Sequence, residues 1–272
     1  MSYYFKPLEK TSMSARALVL SLLSSRRDEP ESISRLIQAG GLFDVGASTL
    51  RVAVTRLLKE DLLESPSRGL YQPGPRSRSL IRRLQDWQNV EHKIAPWSGS
   101  WLIALTQHLG RTDRKQLGAR ERALGLSGYR RTPEGVWTRP ANLALALDEH
   151  REELIAIGAD PDILLVHADR ISAPAPSDWR TLWSTEALAA TYEEATTAME
   201  TSLAGLPDLP VPDAARETLL IGQAVIRLIN YDPLLPPDLA DQAGFLKMVD
   251  TMRTYNEDGL KRWQAFFATS DQ

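Results

Sequence analysis

Between residues 47 and 60, Leu50, Val54 and Leu57 recur at spacings of four and three, and Ser48, Thr49, Arg51, Val52, Thr55, Arg56 and Lys59 lie around and between them. Those spacings are the helical period, so one face of this segment must be buried and the other must meet something polar. With Ser48 set at zero and 100° per residue, Val52, Thr55 and Lys59 fall within about 40° of it. Arg51 lies at about 60° on the other side, and Thr49 and Arg56 flank the face. A helix with a narrow apolar stripe cannot stand alone, so its neighbours in the chain must cover Leu50, Val54 and Leu57.

Those neighbours are predicted as two helices and a ribbon. A first helix covers about Ser14–Ser24, with Ala17, Leu18 and Leu20–Leu23 supplying its apolar content. Pro30 suits the first turn of a second helix, where its missing N–H would be unpaired anyway. Ile33, Leu36 and Ile37 then mark one helical face, and Gly40–Gly41 ends it. After the third helix, Leu62–Ser65 and Leu70–Gln72 pair across Pro66–Gly69. Helix, helix–turn–helix, then ribbon is the order of a winged helix-turn-helix. Its third helix would enter the major groove. There arginine meets guanine edges bidentately, hydroxyls meet bases or phosphates, and a valine meets the thymine methyl. The candidate DNA-binding residues are Arg16, Ser48, Thr49, Arg51, Val52, Thr55, Arg56, Lys59, Ser67, Arg68 and Tyr71. Arg68 sits at the ribbon tip, where a wing touches phosphate or minor groove. The other reading of the helix is an ordinary exposed amphipathic surface.

The remaining chain divides by pattern. Residues 76–95 carry "RSRSLIRRLQDWQNVEHKI" within them, a basic connector helix or a solvated linker. Residues 96–172 alternate strand, helix, strand, strand, helix and strand: "SWLIALT", "DRKQLGARERALGL", "GYRR", "GVWTR", "NLALALDEHREELIAIG" and "DILLVHAD". That order is the ferredoxin-like split unit. Residues 173–272 are helical, with "WSTEALAATYEEATTAMETSLAG", "ARETLLIGQAVIRLINY", and then two helices, "AGFLKMVDTMRTYN" and "GLKRWQAFFAT". The expected class is therefore α+β and multidomain. A winged helix-turn-helix spans 1–75, a connector 76–95, a ferredoxin-like domain 96–172 and an α-helical domain 173–272.

Charge adds a direction. Residues 1–139 hold 23 Lys and Arg against 13 Asp and Glu, a net of +10, whereas residues 140–272 hold 9 against 22, a net of −13. A basic half points to a polyanion, and opposite halves can also attract each other within the chain or across a dimer. There is no cysteine, which removes disulfides and thiolate metal sites and agrees with a reducing cytosol. The apolar stretch Ala17–Leu23 is too short and too polar for a signal peptide, and no run approaches the roughly 20 apolar residues of a membrane span. The expectation is a cytoplasmic protein with no membrane partner.

Catalytic and metal motifs are missing from the sequence. His92, His108, His150 and His167 are not spaced as metal ligands on one helix. There is no Gly-rich phosphate loop, and "GLSGY" at 125–129 has Tyr129 where a nucleophile elbow needs glycine. Asp148–Glu153 and Glu193–Glu194 sit on helical patterns as solvated faces. The expectation is no enzyme, no metal and no cofactor.

The sequence resembles the PaaX family of transcriptional regulators, repressors of phenylacetate-degradation operons. The likeness is carried by "SARALVLSLL", "STLRVAVTRLLKEDLLE", "PWSGSWLIAL", "LGLSGYRRTPEGVWTRP", "LWSTEALAATY" and "YDPLLPPDLA", in that order and spanning nearly the whole chain. The resemblance implies a homodimer that represses transcription on double-stranded operator DNA, here of an aromatic-catabolism operon. It implies release by an aryl-CoA thioester such as phenylacetyl-CoA. Arg114, Arg120 and Arg139 are candidates for the CoA phosphates, with Trp137 stacking on an aryl or adenine ring. Their alternative roles are a core tryptophan and surface charges. The family's middle fold also occurs in small CRISPR-associated nucleases with an aspartate near the end of the first strand. Here that place reads Thr106–Gln107–His108, so no nuclease activity is carried over. Asp61 stands where the family commonly has glycine, and the wing is thin in basic residues. Two rival readings are an acyl-CoA enzyme and a protein adaptor using the helix at 181–204.

Overall fold

A computed structural model of the chain describes residues 13–25, 29–78, 85–172 and 178–269. The fold is mixed α/β, with two small sheets and a helical C-terminal region. It divides into two compact units, each built from separated segments. The first comprises residues 1–88, 194–230 and 248–272, and the second residues 89–193 and 231–247. The serial boundaries expected from sequence therefore do not coincide with the compact units.

The N-terminal elements of the first unit are α1 (Ala15–Ser25), β1 (Glu31–Ser32), α2 (Ile33–Gly41), α3 (Ala47–Lys59), β2 (Leu63–Ser67) and β3 (Leu70–Pro73). The three strands form one antiparallel sheet in the order β1-β3-β2. Two expectations are corrected here. Pro30 is not in the first turn of α2: Glu31 and Ser32 pair with Tyr71 and Leu70, and Ser32 then caps the helix by accepting from the Arg35 N–H at 3.2 Å. The ribbon also runs further toward its tip, because Ser67 pairs with Leu70 and only Arg68 and Gly69 make the turn. Gly69 has φ 78°, a left-handed conformation that suits glycine. A register shift between Glu64 and Ser67 accommodates Pro66, and the Ser65 hydroxyl donates to the carbonyls of Ser67 and Leu70 there.

The chain leaves α3 through a Schellman turn. The Leu62 N–H donates to the Leu57 carbonyl at 3.0 Å and the Asp61 N–H to the Leu58 carbonyl at 3.1 Å. Asp61 takes the left-handed position at φ 57° that glycine most often fills. Gly74 then packs so tightly on the backbone of Asp61 and Leu63 that a Cβ would overlap it.

The core of this unit joins Leu18, Val19 and Leu23 of α1, Leu36 of α2, and Leu50, Val54 and Leu57 of α3 to Ala215, Phe266 and Phe267. Residues expected in a separate C-terminal domain thus complete the core of the N-terminal helices. Gln38 donates to the Phe266 carbonyl at 3.1 Å, and the Arg35 guanidinium lies 4.6 Å from the centre of the Phe267 ring. After β3, residues 75–78 are helical, and Asp86–Lys93 forms 3-10 turns on either side of a kink at Asn89, with Trp87 and Val90 buried. The middle of the expected connector helix, residues 79–84, lies outside the described residues.

The second unit contains β4 (Trp101–Leu105), α4 (Arg114–Leu126), β5 (Arg130–Arg131), β6 (Trp137–Pro140), α5 (Leu147–Ala156) and β7 (Leu164–Ala168). All neighbouring strands are antiparallel, in the order β5-β6-β4-β7. Alternation splits β4: Leu102 and Ala104 pack with Ala123, Leu124 and Leu154 of the helices, while Trp101 packs with Trp183 and Leu235. Trp101 meets Trp97 and Trp179 edge-on, with ring centres 5.4 and 5.5 Å away. The predicted helix over 142–158 starts later, at Leu147. Asn142 is buried and donates to the Leu234 carbonyl at 2.6 Å, and Leu143 bridges Ile94.

The C-terminal helices are α6 (Thr185–Gly205), α7 (Val211–Asn230) and α8 (Gln242–Ala268). The two expected last helices are one. Gly259 does not break α8, because its bare Cα lets the helix approach Thr218 of α7: a Cβ there would lie 3.3 Å from the Thr218 Cβ.

Candidate nucleic-acid interface

Helix α3 displays the face its sequence implies. Leu50 and Leu57 are wholly buried and Val54 nearly so, while Ser48, Thr49, Arg51, Val52, Thr55, Arg56 and Lys59 are all exposed. Burying a leucine side chain contributes roughly 1.5–3 kcal/mol, so three such anchors fix which side of the helix faces out. Arg51, Arg56 and Lys59 make no ion pair among the described residues, which leaves three cationic groups on one solvated face. Gly46 caps the helix without a side-chain hydrogen bond, so the first-turn N–H groups keep their capacity for an anion.

Two details modify the sequence picture. The Thr55 hydroxyl donates to the Arg51 carbonyl at 2.8 Å, so it is left as an acceptor. Arg16 is exposed but its guanidinium is 2.7 Å from the Glu60 carboxylate, at the C-terminal end of α3. That pair binds α1 to the end of α3, and it sets Arg16 apart from Arg51, Arg56 and Lys59.

At the ribbon, Ser67 and Arg68 are exposed at the turn, and Tyr71 is half-buried with its ring packed on the core. Arg78, just beyond β3, pairs with Glu64, and Arg76 donates to the Glu60 carbonyl at 3.1 Å. The Glu64 carboxyl is held below its ordinary value by the Gln72 amide and the Arg78 guanidinium.

The four effector candidates do not form a site. Arg120 is buried and grips Asp160 with both ends of its fork, at 2.5 and 3.0 Å, while donating to the Gly110 carbonyl. Arg139 is buried and donates to the carbonyls of Ser127, Pro140 and Pro233 and to the Asn142 side chain. Both guanidiniums hydrogen-bond within the protein, to Asp160 and Gly110 for Arg120 and chiefly to backbone carbonyls for Arg139. Trp137 is half-buried against the helix-side core, and Arg114 is exposed in the first turn of α4. A wide groove of about 570 Å³ opens instead at the start of α6, between Arg180–Glu186 and Asp238–Leu239. None of the four candidates lines it.

Sequence reasoning missed Asp232. Its carboxylate accepts from the Tyr192 hydroxyl at 2.6 Å and from the Leu234 N–H at 2.7 Å. Desolvation raises its pKa to about 6, opposed by those two hydrogen bonds and by Arg139 and Arg130. The only sequence signal was Asp-Pro as a helix stop, which carries no hint of a distant tyrosine. Among the described residues no cluster of three metal-ligating side chains occurs, and no helix is long and apolar enough to cross a membrane.

No family model matches the sequence, and no curated protein matches it. Among solved structures, the uncharacterized protein Rv0674 from Mycobacterium tuberculosis is similar, with 24% identity and a TM-score of 0.64. The match covers 94% of this chain and 99% of that one, and at this identity it shows a shared fold.

Proposed function

We propose that the first unit carries a winged helix-turn-helix and that the chain is a double-stranded DNA-binding transcriptional regulator. The carrying observation is the face of α3: seven exposed residues, three of them cationic without an ion pair among the described residues, held out by Leu50, Val54 and Leu57. The sheet order β1-β3-β2 supports the winged reading, since its ribbon ends in a two-residue tip bearing Arg68. The order β5-β6-β4-β7, with two helices on one face, supports the ferredoxin-like reading of the second unit.

The resemblance to PaaX regulators extends the proposal. The protein acts in the cytoplasm as a homodimeric repressor of an aromatic-catabolism operon, without enzymatic activity, and an aryl-CoA thioester releases it. Arg114 and Trp137 remain the effector candidates. Arg51, Arg56 and Lys59 supply base and phosphate contacts, Ser48, Thr49 and Thr55 polar contacts, and Ser67 and Arg68 the wing contacts. Electrophoretic retention of a genomic upstream fragment, with and without phenylacetyl-CoA, tests the reading. Retention that the thioester relieves is the expected result. No retention of any fragment rejects DNA binding, and retention that no acyl-CoA ester alters rejects the effector.

A further inference from the structure

Val52 is 50% exposed, and it stands mid-helix at the centre of the outward face of α3. Ser48 and Thr49 precede it by one turn, and Thr55 and Arg56 follow by one turn, so every helical neighbour on this face is polar or charged. An exposed, β-branched side chain there adds neither helix propensity nor solubility. Its chemistry suits one feature of the major groove, the 5-methyl group of thymine, the apolar group that a base pair presents there. The Thr55 hydroxyl is turned back onto the Arg51 carbonyl, so its proton is not offered to the base edge beside Val52. Arg51 and Arg56 flank the valine on opposite sides of the face, where they can meet neighbouring guanines.

We propose that Val52 is a specificity residue that reads the 5-methyl group of a thymine within each half-site. The inference rests on the DNA-binding reading and names what that site recognises. Wild-type full-length protein is first used to select duplexes from a random pool. Each thymine of the selected site is then replaced singly by uracil, which deletes only the methyl group. Wild-type protein loses about 3- to 10-fold in affinity at one thymine per half-site, and Val52→Ala loses nothing further from that same replacement. Circular dichroism confirms that the exposed substitution leaves the fold intact. If wild-type protein selects a sequence but tolerates uracil at every position, the thymine assignment is wrong while DNA reading stands. An unchanged uracil penalty in Val52→Ala also overturns it. Failure to enrich any sequence overturns both.

Discussion

Gly40 of α2 lies against Leu50 of α3 so closely that a Cβ on Gly40 would overlap the Leu50 Cδ1 and come within 2.8 Å of the Val45 carbonyl. The bare Cα therefore sets the separation of the two helices, and Leu50 is one of the three anchors that orient the outward face. Gly40→Ala gains helix propensity but must displace Leu50 or the turn, and overpacking of this kind typically costs about 1–3 kcal/mol. Chemical denaturation of the variant checks the sign. A variant as stable as wild type would show that the interhelical contact is slack.

Asp61 closes α3 in the left-handed position of its Schellman turn. Asp61→Gly removes the strain of a side chain at φ 57°, so stability rises by up to about 1 kcal/mol, offset in part by the looser unfolded chain. Asp61→Val lowers stability instead, because a β-branched residue tolerates this conformation poorly. The two variants moving together would contradict the role of backbone conformation at this site.

Arg120 and Asp160 form a bidentate pair with the arginine buried. Asp160→Ala strands that charge and costs about 3–5 kcal/mol, whereas Arg120→Met with Asp160→Leu recovers most of the loss. The Arg120 hydrogen bond holds the Asp160 carboxyl below its ordinary range. A depressed carboxyl stabilises the fold above its unfolded pKa, and the contribution disappears as pH falls through the folded one. Equal single and double losses in a urea series would show that the pair acts by something other than charge compensation.

Asp232 runs the opposite way. Its folded pKa of about 6 lies above the ordinary 3.8, so the folded state holds a proton that the unfolded state releases. Stability from this group is full below about pH 4 and declines as pH rises through 6, by roughly 2–3 kcal/mol. Asp232→Asn lacks that decline, so the stability of wild type relative to the variant falls from pH 4 to pH 7. Parallel stability curves over that range would refute the raised pKa.

How much of this was legible in the sequence differs by region. The α3 face followed from spacing alone, because Leu50, Val54 and Leu57 obey one helical period and local geometry decides which side they occupy. The strand β1 was not legible: two residues after a proline become a strand only because β3 offers an edge to pair with. Phe266 and Phe267 looked like part of a C-terminal domain, since periodicity shows that a face is buried but not what buries it. Arg120 and Arg139 read as CoA-phosphate ligands or surface charges for the same reason. Their partners Asp160 and Pro233 lie 40 and 94 residues away, and no local pattern joins them. The last helix reads as two, the second starting at Gly259, and the close packing of that glycine on Thr218 joins residues that no local pattern relates.

If the α3 face holds duplex DNA, its exposed arginines set both the affinity and its salt dependence. Fluorescence anisotropy of full-length wild type and of Arg51→Ala/Arg56→Ala on one selected duplex, across a salt series, measures both most directly. The account predicts that the double variant folds as wild type does, binds about 2–5 kcal/mol more weakly, and shows a shallower dependence of log affinity on log salt. A double variant that keeps wild-type affinity and salt slope would contradict it.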